Sequence, residues 1–397
     1  MKVKNIVIAQ DRFSLLGGIT TVNRLLGRAF EEAGYNVSYL ALYDNTGNNP
    51  DAVTPDFVVH SGDLVLKTTH NKLAFDNPGP LGAVLAAKKG FTALWDRYNA
   101  ARTRRYQQSL GEETVILTTM TGIAAYLVDY ARSAQKQGIG YLYEFHSSYD
   151  SSYRLDAEKE LRQISDTFDS FIALSEGDAQ LFAQWLNRPV DAVSNLNASL
   201  DPAVERKVLA LAEQKKPTVQ FIGRYSEEKG LMRILESFIA CATEFPEWIL
   251  KLNGSGDEAI ERQVKERIAS LDSALAERIV VGGPLNSDQV LEAYAEASLT
   301  IGASDFEGSP MSLQEAMRVG TPMVSYPSCW VLRDVLPQVG YLAQERSIEA
   351  LTEQLRVAMG DDAQRAEKSA RCFQKAQEYT PEHIVRRWEE VFASIKR

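Results

Sequence analysis

Apolar positions along this chain fall into short unbroken runs separated by longer amphipathic stretches. Residues 5–9, Asn-Ile-Val-Ile-Ala, form a run suited to a strand buried on both faces of a parallel sheet. A polar loop ending in Gly17-Gly18 follows. Ile19, Val22, Leu25, Leu26, Ala29, Phe30 and Ala33 then recur at helical spacing, and Gly34 fits a left-handed cap at the end of that helix. Val37 to Leu42 reads as the next strand. The pattern predicts further strands near 57–60, 114–118, 140–145 and 170–174, and helices near 81–108, 122–135, 154–167 and 177–186. It then starts again with a strand at 218–222 and a helix over 229–243. Strands at 248–252, 278–281, 298–302, 322–326 and 340–342 follow, with helices between most of them.

Alternating strands and helices predict parallel sheets covered on both faces. Two such runs predict an α/β chain of two doubly wound, Rossmann-like domains facing a cleft. The length of 397 residues suits two domains. The boundary is expected near Ala198–Lys216, where Pro202 and many charges precede Pro217. The domains are therefore read as 1–200 and 201–380. A last helix, roughly 381–395, carries Trp388, Val391 and Phe392 on one side. The segment 381–397 is expected to pack back on the first domain.

Composition narrows the class. Hydrophobic residues make up 45% and charged residues 24%, as in a soluble globular protein with large cores. The formal net charge of −10 argues against nucleic acid as a partner, because phosphate contacts need clustered Lys and Arg. Cys241, Cys329 and Cys372 are odd in number and far apart, with no CxxC. That pattern points to a reducing cytoplasm and away from disulfides or zinc. The first apolar run is too short for a signal peptide or a membrane span.

In open parallel sheets ligands bind beyond the carboxyl ends of the strands, so candidate chemistry is sought in those loops. The segment Phe221-Ile222-Gly223-Arg224-Tyr225-Ser226-Glu227-Glu228-Lys229-Gly230 places Arg224 after a strand and Lys229 where a helix begins. Two such cations suit a diphosphate, Arg by two parallel hydrogen bonds and Lys as a point charge. They equally suit solvated surface charges paired with Glu227 and Glu228. In Asn253-Gly254-Ser255-Gly256-Asp257 a strand runs into a glycine turn and a helix, which allows close approach of a ligand to the backbone and favours anions.

The strand at 298–302 ends in Ala303-Ser304-Asp305-Phe306-Glu307-Gly308-Ser309-Pro310-Met311-Ser312-Leu313-Gln314-Glu315. Pro310 suits the first turn of a helix with Ser309 as its cap. The helix then stops at Gly320, with Pro322 beyond. Ser312-x-x-Glu315 matches a capping box, under which Glu315 is structural and Glu307 an ordinary loop acid. Alternatively, both acids accept hydrogen bonds from sugar hydroxyls while nearby cations hold phosphates.

Glu307, seven intervening residues and Glu315 resemble the E-x7-E motif of retaining glycosyltransferases of the GT-B type, glycosyltransferase family 4 (group 1) in particular. Ala316-Met317-Arg318-Val319-Gly320-Thr321-Pro322-Met323-Val324 resembles the continuation of that motif. Gly223-Arg224 with Glu228-Lys229-Gly230 resembles the family's phosphate-binding stretch, and Gly254-Ser255-Gly256 its strand-end glycine turn. The resemblance spans about residues 218–335 and is looser in the first half.

It implies a GT-B fold and a nucleotide-sugar donor, most simply a UDP-sugar, as substrate with no separate cofactor. It implies that Glu315 binds the ribose hydroxyls and that Glu307 holds the donor sugar. Arg224 and Lys229 would neutralise the departing diphosphate, and backbone groups of Gly308, Ser309, Met311 and Ser312 would meet sugar and diphosphate. Gly17 and Gly18 resemble the family's first glycine loop, and His146, in Tyr143-Glu144-Phe145-His146-Ser147, its histidine near the donor sugar. A structural, hydrogen-bonded role for His146 is the alternative. The stretch Val281 to Pro284, with Gly283, is where the base would lie. Two departures stand out. Ser309-Pro310 replaces a common Phe-Gly and removes one backbone donor, and Ser194-Asn195-Leu196-Asn197 replaces a common Pro-Asn-Gly.

A metal is not expected. The chain has no Asp-x-Asp, Walker A or G-x-S-x-G sequence, and His60, His70, His146 and His383 are scattered. The acceptor would be a carbohydrate, a lipid-linked glycan or a polymer in the first domain, attacking with retention at the anomeric carbon. Epimerase, phosphorylase and non-catalytic subunit readings of the same fold stay open. Finally, Lys88-Lys89-Gly90-Phe91-Thr92-Ala93-Leu94-Trp95-Asp96-Arg97-Tyr98, continuing to Arg102, Arg104 and Arg105, is basic and aromatic at partly helical spacing. It reads as a packed helix with a solvated basic face, or as a surface for an anionic membrane or polymer.

Overall fold

A computed structural model describes residues 1–14, 18–43, 53–60, 96–197 and 202–395. Two sheets organise the chain. The first contains β1 (Asn5–Gln10), β2 (Asn36–Tyr43), β3 (Phe57–His60), β4 (Thr114–Thr118), β5 (Gly140–Phe145), β6 (Ser170–Ala173) and β7 (Asp191–Ala192), in the order β3-β2-β1-β4-β5-β6-β7. The second contains β8 (Lys216–Ile222), β9 (Ile249–Asn253), β10 (Ile279–Gly282), β11 (Ala297–Gly302), β12 (Met323–Ser325) and β13 (Tyr341–Leu342), in the order β10-β9-β8-β11-β12-β13. Pairing is parallel from β3 through β5 and throughout the second sheet.

The reason lies in the apolar runs. All five residues of β4 and all six of β5 are buried, which requires cover on both faces of the sheet. The core of the second sheet is built from Val219, Phe221, Leu250 and Leu252 against Leu235 and Phe238 of the helix Leu231–Cys241. The expected two-sheet α/β architecture is what the chain adopts.

By compactness the chain forms two units. One is Met1–Phe145, Ala157–Ile172 and Glu389–Arg397. The other is His146–Asp156 and Ala173–Trp388. Within the first, Phe392 of the last helix, Pro381–Ser394, packs its ring 5.9 Å from that of Phe30 and 6.1 Å from that of Tyr35.

Several elements differ from expectation. The stretch 202–212, within the expected domain boundary, is a helix, Pro202–Ala212, with proline at its first position. Val208 buries it against Leu291, Tyr294 and Val319, so tertiary cover turns a charged segment into a core element. The single helix expected over 154–167 is two, Ser152–Asp156 and Glu158–Thr167, broken where Ala157 takes φ −104° and ψ 15°. The two-residue β7 is too short to show a period. Of the helix expected over 81–108, the described part runs over 96–109. Lys88 to Trp95 lie outside the described residues, as do Gly17 and His70.

Candidate functional site

The strand order of the second sheet reverses between β8 and β11. Loops leaving neighbouring strands at such a point diverge and open a crevice at the carboxyl edge. A pocket lies there, lined by Gly223 just past β8, Gly302 at the end of β11, and Lys229, Glu307, Pro310 and Ser312.

Lys229 closes a one-turn 3-10 helix, Glu227–Lys229. Its ammonium donates to Glu307 Oε1 at 2.6 Å. The two side chains keep 25% and 18% of their surface exposed, so the ion pair is well shielded. The cation expected to meet phosphate and the carboxylate expected to meet a sugar thus share one contact at the pocket wall. Arg224 lies elsewhere. It is an exposed side chain paired with Glu228, also exposed, and is not among the pocket-lining residues. For Arg224 the surface-pair alternative is the one the geometry realises.

The loop bearing Glu307 is held from two sides. Arg233 donates to the Ala303 carbonyl at 2.8 Å and pairs with Asp305 at 3.0 Å. Arg346 donates to the Asp305 carbonyl at 2.7 Å. Neither arginine was legible as a site residue. Arg346 is distant in sequence and shows no local pattern, whereas Arg233 stands four residues after Lys229, on the helix that opens the site.

The helix after this loop is Met311–Arg318, and its cap corrects the sequence reading. Pro310 itself occupies the cap position, with φ −67° and ψ 116°, and no side chain caps the helix. Ser309 is not the cap, because its hydroxyl accepts from Gln314 Nε2 at 3.2 Å and its carbonyl accepts from Asn195 Nδ2 at 3.3 Å. The Ser312–Glu315 capping box does not form. The N–H groups of Met311 and Ser312 meet no acceptor among the described residues. Ser312 lines the pocket, so the positive end of the helix dipole faces it. Gln314 and Asn195 tie down Ser309-Pro310. Asn195 sits in the segment whose departure from the family pattern concealed its part.

Glu315 stands on the same helix, four residues after Met311. Among the described residues its carboxylate forms no ion pair, and burial pushes its pKa up to about 7. Burial, and after it the Glu315 charge, raises the pKa of the fully buried Tyr294 phenol. A carboxylate shielded from water without a cation is costly unless hydrogen-bond donors reach it.

Gly308 cannot carry a side chain. A Cβ there would lie 2.9 Å from the His146 carbonyl oxygen and 3.0 Å from the Ser147 Cα. His146, half-buried, follows β5. The loop after it is fixed by Asp178, whose buried carboxylate accepts from the Tyr149 N–H at 2.8 Å and from the Ser148 and Ser175 hydroxyls. Burial raises the pKa of Asp178.

Gly254, at φ +151°, has a neighbouring loop as its reason. A Cβ there would collide with the Gly223 carbonyl. The two loops are joined by the Tyr225 N–H donating to the Ser255 carbonyl at 2.9 Å and the Asp257 N–H donating to the Tyr225 carbonyl at 2.7 Å. Gly283 accepts from the Gly254 N–H at 3.1 Å, which places the expected base region beside this turn. Gly18, in the first unit, opens the helix Gly18–Glu32. Asn23 of that helix donates to Gln10 at 2.5 Å and to Thr119 at 2.7 Å.

Known proteins share this architecture. Residues 205–379 match the family model of glycosyl transferases group 1. The poly(glycerol-phosphate) alpha-glucosyltransferase of Bacillus subtilis is 28% identical over 195 residues, 49% of this chain and 27% of that protein. The GtfA subunit of a UDP-N-acetylglucosamine–peptide N-acetylglucosaminyltransferase from Streptococcus gordonii is 21% identical over 315 residues, 75% of this chain and 61% of that protein. The chain thus spans about a quarter to three fifths of these relatives.

Among solved structures, S. aureus TarM, in complex with fondaparinux, alpha-GlcNAc-glycerol and UDP, superposes with TM-score 0.70. It is 14% identical, and the match covers 98% of this chain and all of that one. Anabaena HepE in complex with UDP gives TM-score 0.68 at 15% identity, covering 99% and 100%. At these identities the likeness defines the fold, which is of the GT-B glycosyltransferase class.

Proposed function

We propose that the protein is a retaining glycosyltransferase that moves a sugar from a nucleoside-diphosphate donor, a UDP-sugar in the first instance, to a hydroxyl of a glycan, lipid-linked glycan, cell-wall polymer or glycoprotein. The observation that carries the reading is the Lys229–Glu307 contact beside the open end of the helix Met311–Arg318, in a pocket at the sheet reversal. The relatives named above are a poly(glycerol-phosphate) glucosyltransferase and a subunit of a peptide N-acetylglucosaminyltransferase, and the two solved structures named above hold UDP.

In this reading Lys229 and the first helix amides hold the diphosphate and stabilise charge as it leaves. Arg224 swings from Glu228 to join them, which the exposed pair permits at little cost. Glu307 accepts from donor-sugar hydroxyls and Glu315 from the ribose. The acceptor hydroxyl attacks the anomeric carbon on the face that the diphosphate leaves, the bond from that carbon to the diphosphate oxygen breaks, and the hydroxyl proton passes to the departing phosphate oxygen. Both acids stand on one segment beside the nucleotide, so a hydrolase pair flanking the bond is a poor fit. In this reading the nucleotide sugar is a substrate, and Lys229, Arg224 and the helix amides supply the countercharge. No described helix is long and apolar enough to cross a membrane. A cytoplasmic enzyme, in peripheral contact with the membrane where the acceptor is lipid-linked, accords with this reading.

The test is a panel of UDP-, GDP- and ADP-sugars with and without polymer acceptors, followed by mass detection and by NMR of the new linkage. Transfer with an inverted linkage, epimerised donor or phosphate-dependent cleavage would each overturn the assignment.

A further inference from the structure

The carboxyl edge of the first sheet carries a feature that the donor site does not use. Tyr43 and His60 are the last residues of β2 and β3. Their rings stack at 5.4 Å and 24°. His60 meets Tyr126 edge-on at 5.8 Å, and Tyr126 lies 5.2 Å from Tyr130. The row of four rings ends in a guanidinium on each side: Arg12 sits 5.2 Å over Tyr43, and Arg104 sits 5.9 Å over Tyr130. The helix over 96–109 walls this row. Its Asn99 lies 3.1 Å from His60 Nδ1, and its Thr103 hydroxyl lies 3.2 Å from that of Tyr126. A pocket opens between them, lined by His60, Tyr126, Tyr130, Asp96, Arg97 and Ala100.

The charge here runs against the rest of the molecule. The chain carries a net charge of −10, yet residues 96–109 hold four arginines against one aspartate. Arg97, in the pocket lining, and Arg104, over Tyr130, are both exposed. Sugar rings lay their C–H faces on aromatic rings and keep their hydroxyls free for polar partners, here the Tyr and His edges. Guanidinium groups grip phosphate, sulfate or carboxylate by paired hydrogen bonds.

We propose that this ring-paved, arginine-rimmed edge binds an extended anionic glycan as the acceptor chain. The inference rests on the transferase reading above and names its acceptor class. A membrane is the poorer occupant. Lying on a bilayer needs projecting apolar side chains, whereas Tyr98 is the one large exposed hydrophobic in the described part of this helix, and His60, Tyr126 and Tyr130 line a concavity.

The experiment uses the full chain and five probes in calorimetry: dextran sulfate, neutral dextran of the same length, poly-L-glutamate, phosphatidylglycerol vesicles and UDP-glucose. Dextran sulfate is expected to bind at least about tenfold more tightly than dextran, with affinity falling as salt rises. Arg97→Ala/Arg104→Ala is expected to weaken dextran sulfate about tenfold. Tyr43→Ser is expected to weaken dextran sulfate and leave poly-L-glutamate unchanged, which separates ring stacking from charge. UDP-glucose binding reports that each variant is folded.

Equal binding of dextran and dextran sulfate would overturn the proposal. So would an arginine double variant that binds like wild type, poly-L-glutamate that binds as tightly as dextran sulfate, or vesicles that outcompete it. Failure of UDP-glucose to bind wild type would instead strike the transferase reading, and the polymer arms would stand apart from it.

Discussion

The two ends of the segment from Glu307 to Glu315 handle a shielded carboxylate in opposite ways. Glu307 has a cation, Lys229, at 2.6 Å, and two arginines fix its loop. Glu315 has none among the described residues, and burial pushes its carboxyl up to about 7. One end is neutralised within the protein. The other carries an electrostatic cost that a ligand's hydroxyl donors would relieve. The difference teaches which acid is set for charge and which for hydrogen-bond acceptance, although the residues are identical.

The largest effect is expected at the paired end. Glu307→Ala should lower transfer by about 10²–10³-fold, the scale of losing one preorganised polar group at a reacting centre. A product assay with saturating donor checks this, and wild-type rates would break the comparison.

At the other end the sign reverses for stability. The folded carboxyl of Glu315 has a raised pKa, about 7 against an ordinary 4.5. The folded state therefore holds its proton more tightly than the unfolded chain. The stability it contributes is complete below about pH 4.5 and is lost as pH rises through 7. Glu315→Gln removes that loss, so the variant should be more stable than wild type at pH 8 by up to about 3 kcal/mol and no more stable at pH 4.5. Urea unfolding at both pH values decides it. The same acid should make wild type bind UDP-glucose about tenfold more tightly at pH 8 than at pH 6, because donors to the ionised form displace the proton. Glu315→Gln should bind weakly and without that pH dependence.

Gly308→Ala tests the wall between the two ends. A Cβ would press on the His146–Ser147 backbone, so a loss of about 1–3 kcal/mol is expected in thermal unfolding, with lower transfer. The smallest effect is reserved for Arg224→Ala. Its pair with Glu228 is exposed, so stability should stay within about 0.5 kcal/mol while transfer falls. A stability loss as large as that of Gly308→Ala would show that Arg224 is structural.

Much of the fold was legible because burial on both faces of a parallel sheet leaves unbroken apolar runs. The strands around Val115–Leu117 and Tyr141–Phe145 show this plainly. The helix Pro202–Ala212 was not, since its charges hid an apolar side that only Leu291 and Tyr294 make useful. In the site, Lys229, Glu307 and Ser312 were legible as residue types at strand ends, and the pocket gathers all three. Ser309 does not cap the helix as expected because the two amide donors that turn it inward, Gln314 and Asn195, come together only in the folded loop.

The amino-acid order by itself determined the alternation of strands and helices, the two sheets, and which loops carry cations, carboxylates and glycines. Those features depend on periodicity and local backbone chemistry, which act between near neighbours. Tertiary structure decided that Lys229 reaches Glu307 across 78 positions, which of two open readings holds for Arg224, and that Glu315 has no cation beside it among the described residues. Ion pairing and desolvation depend on distance and on exclusion of water, and neither is a property of sequence spacing.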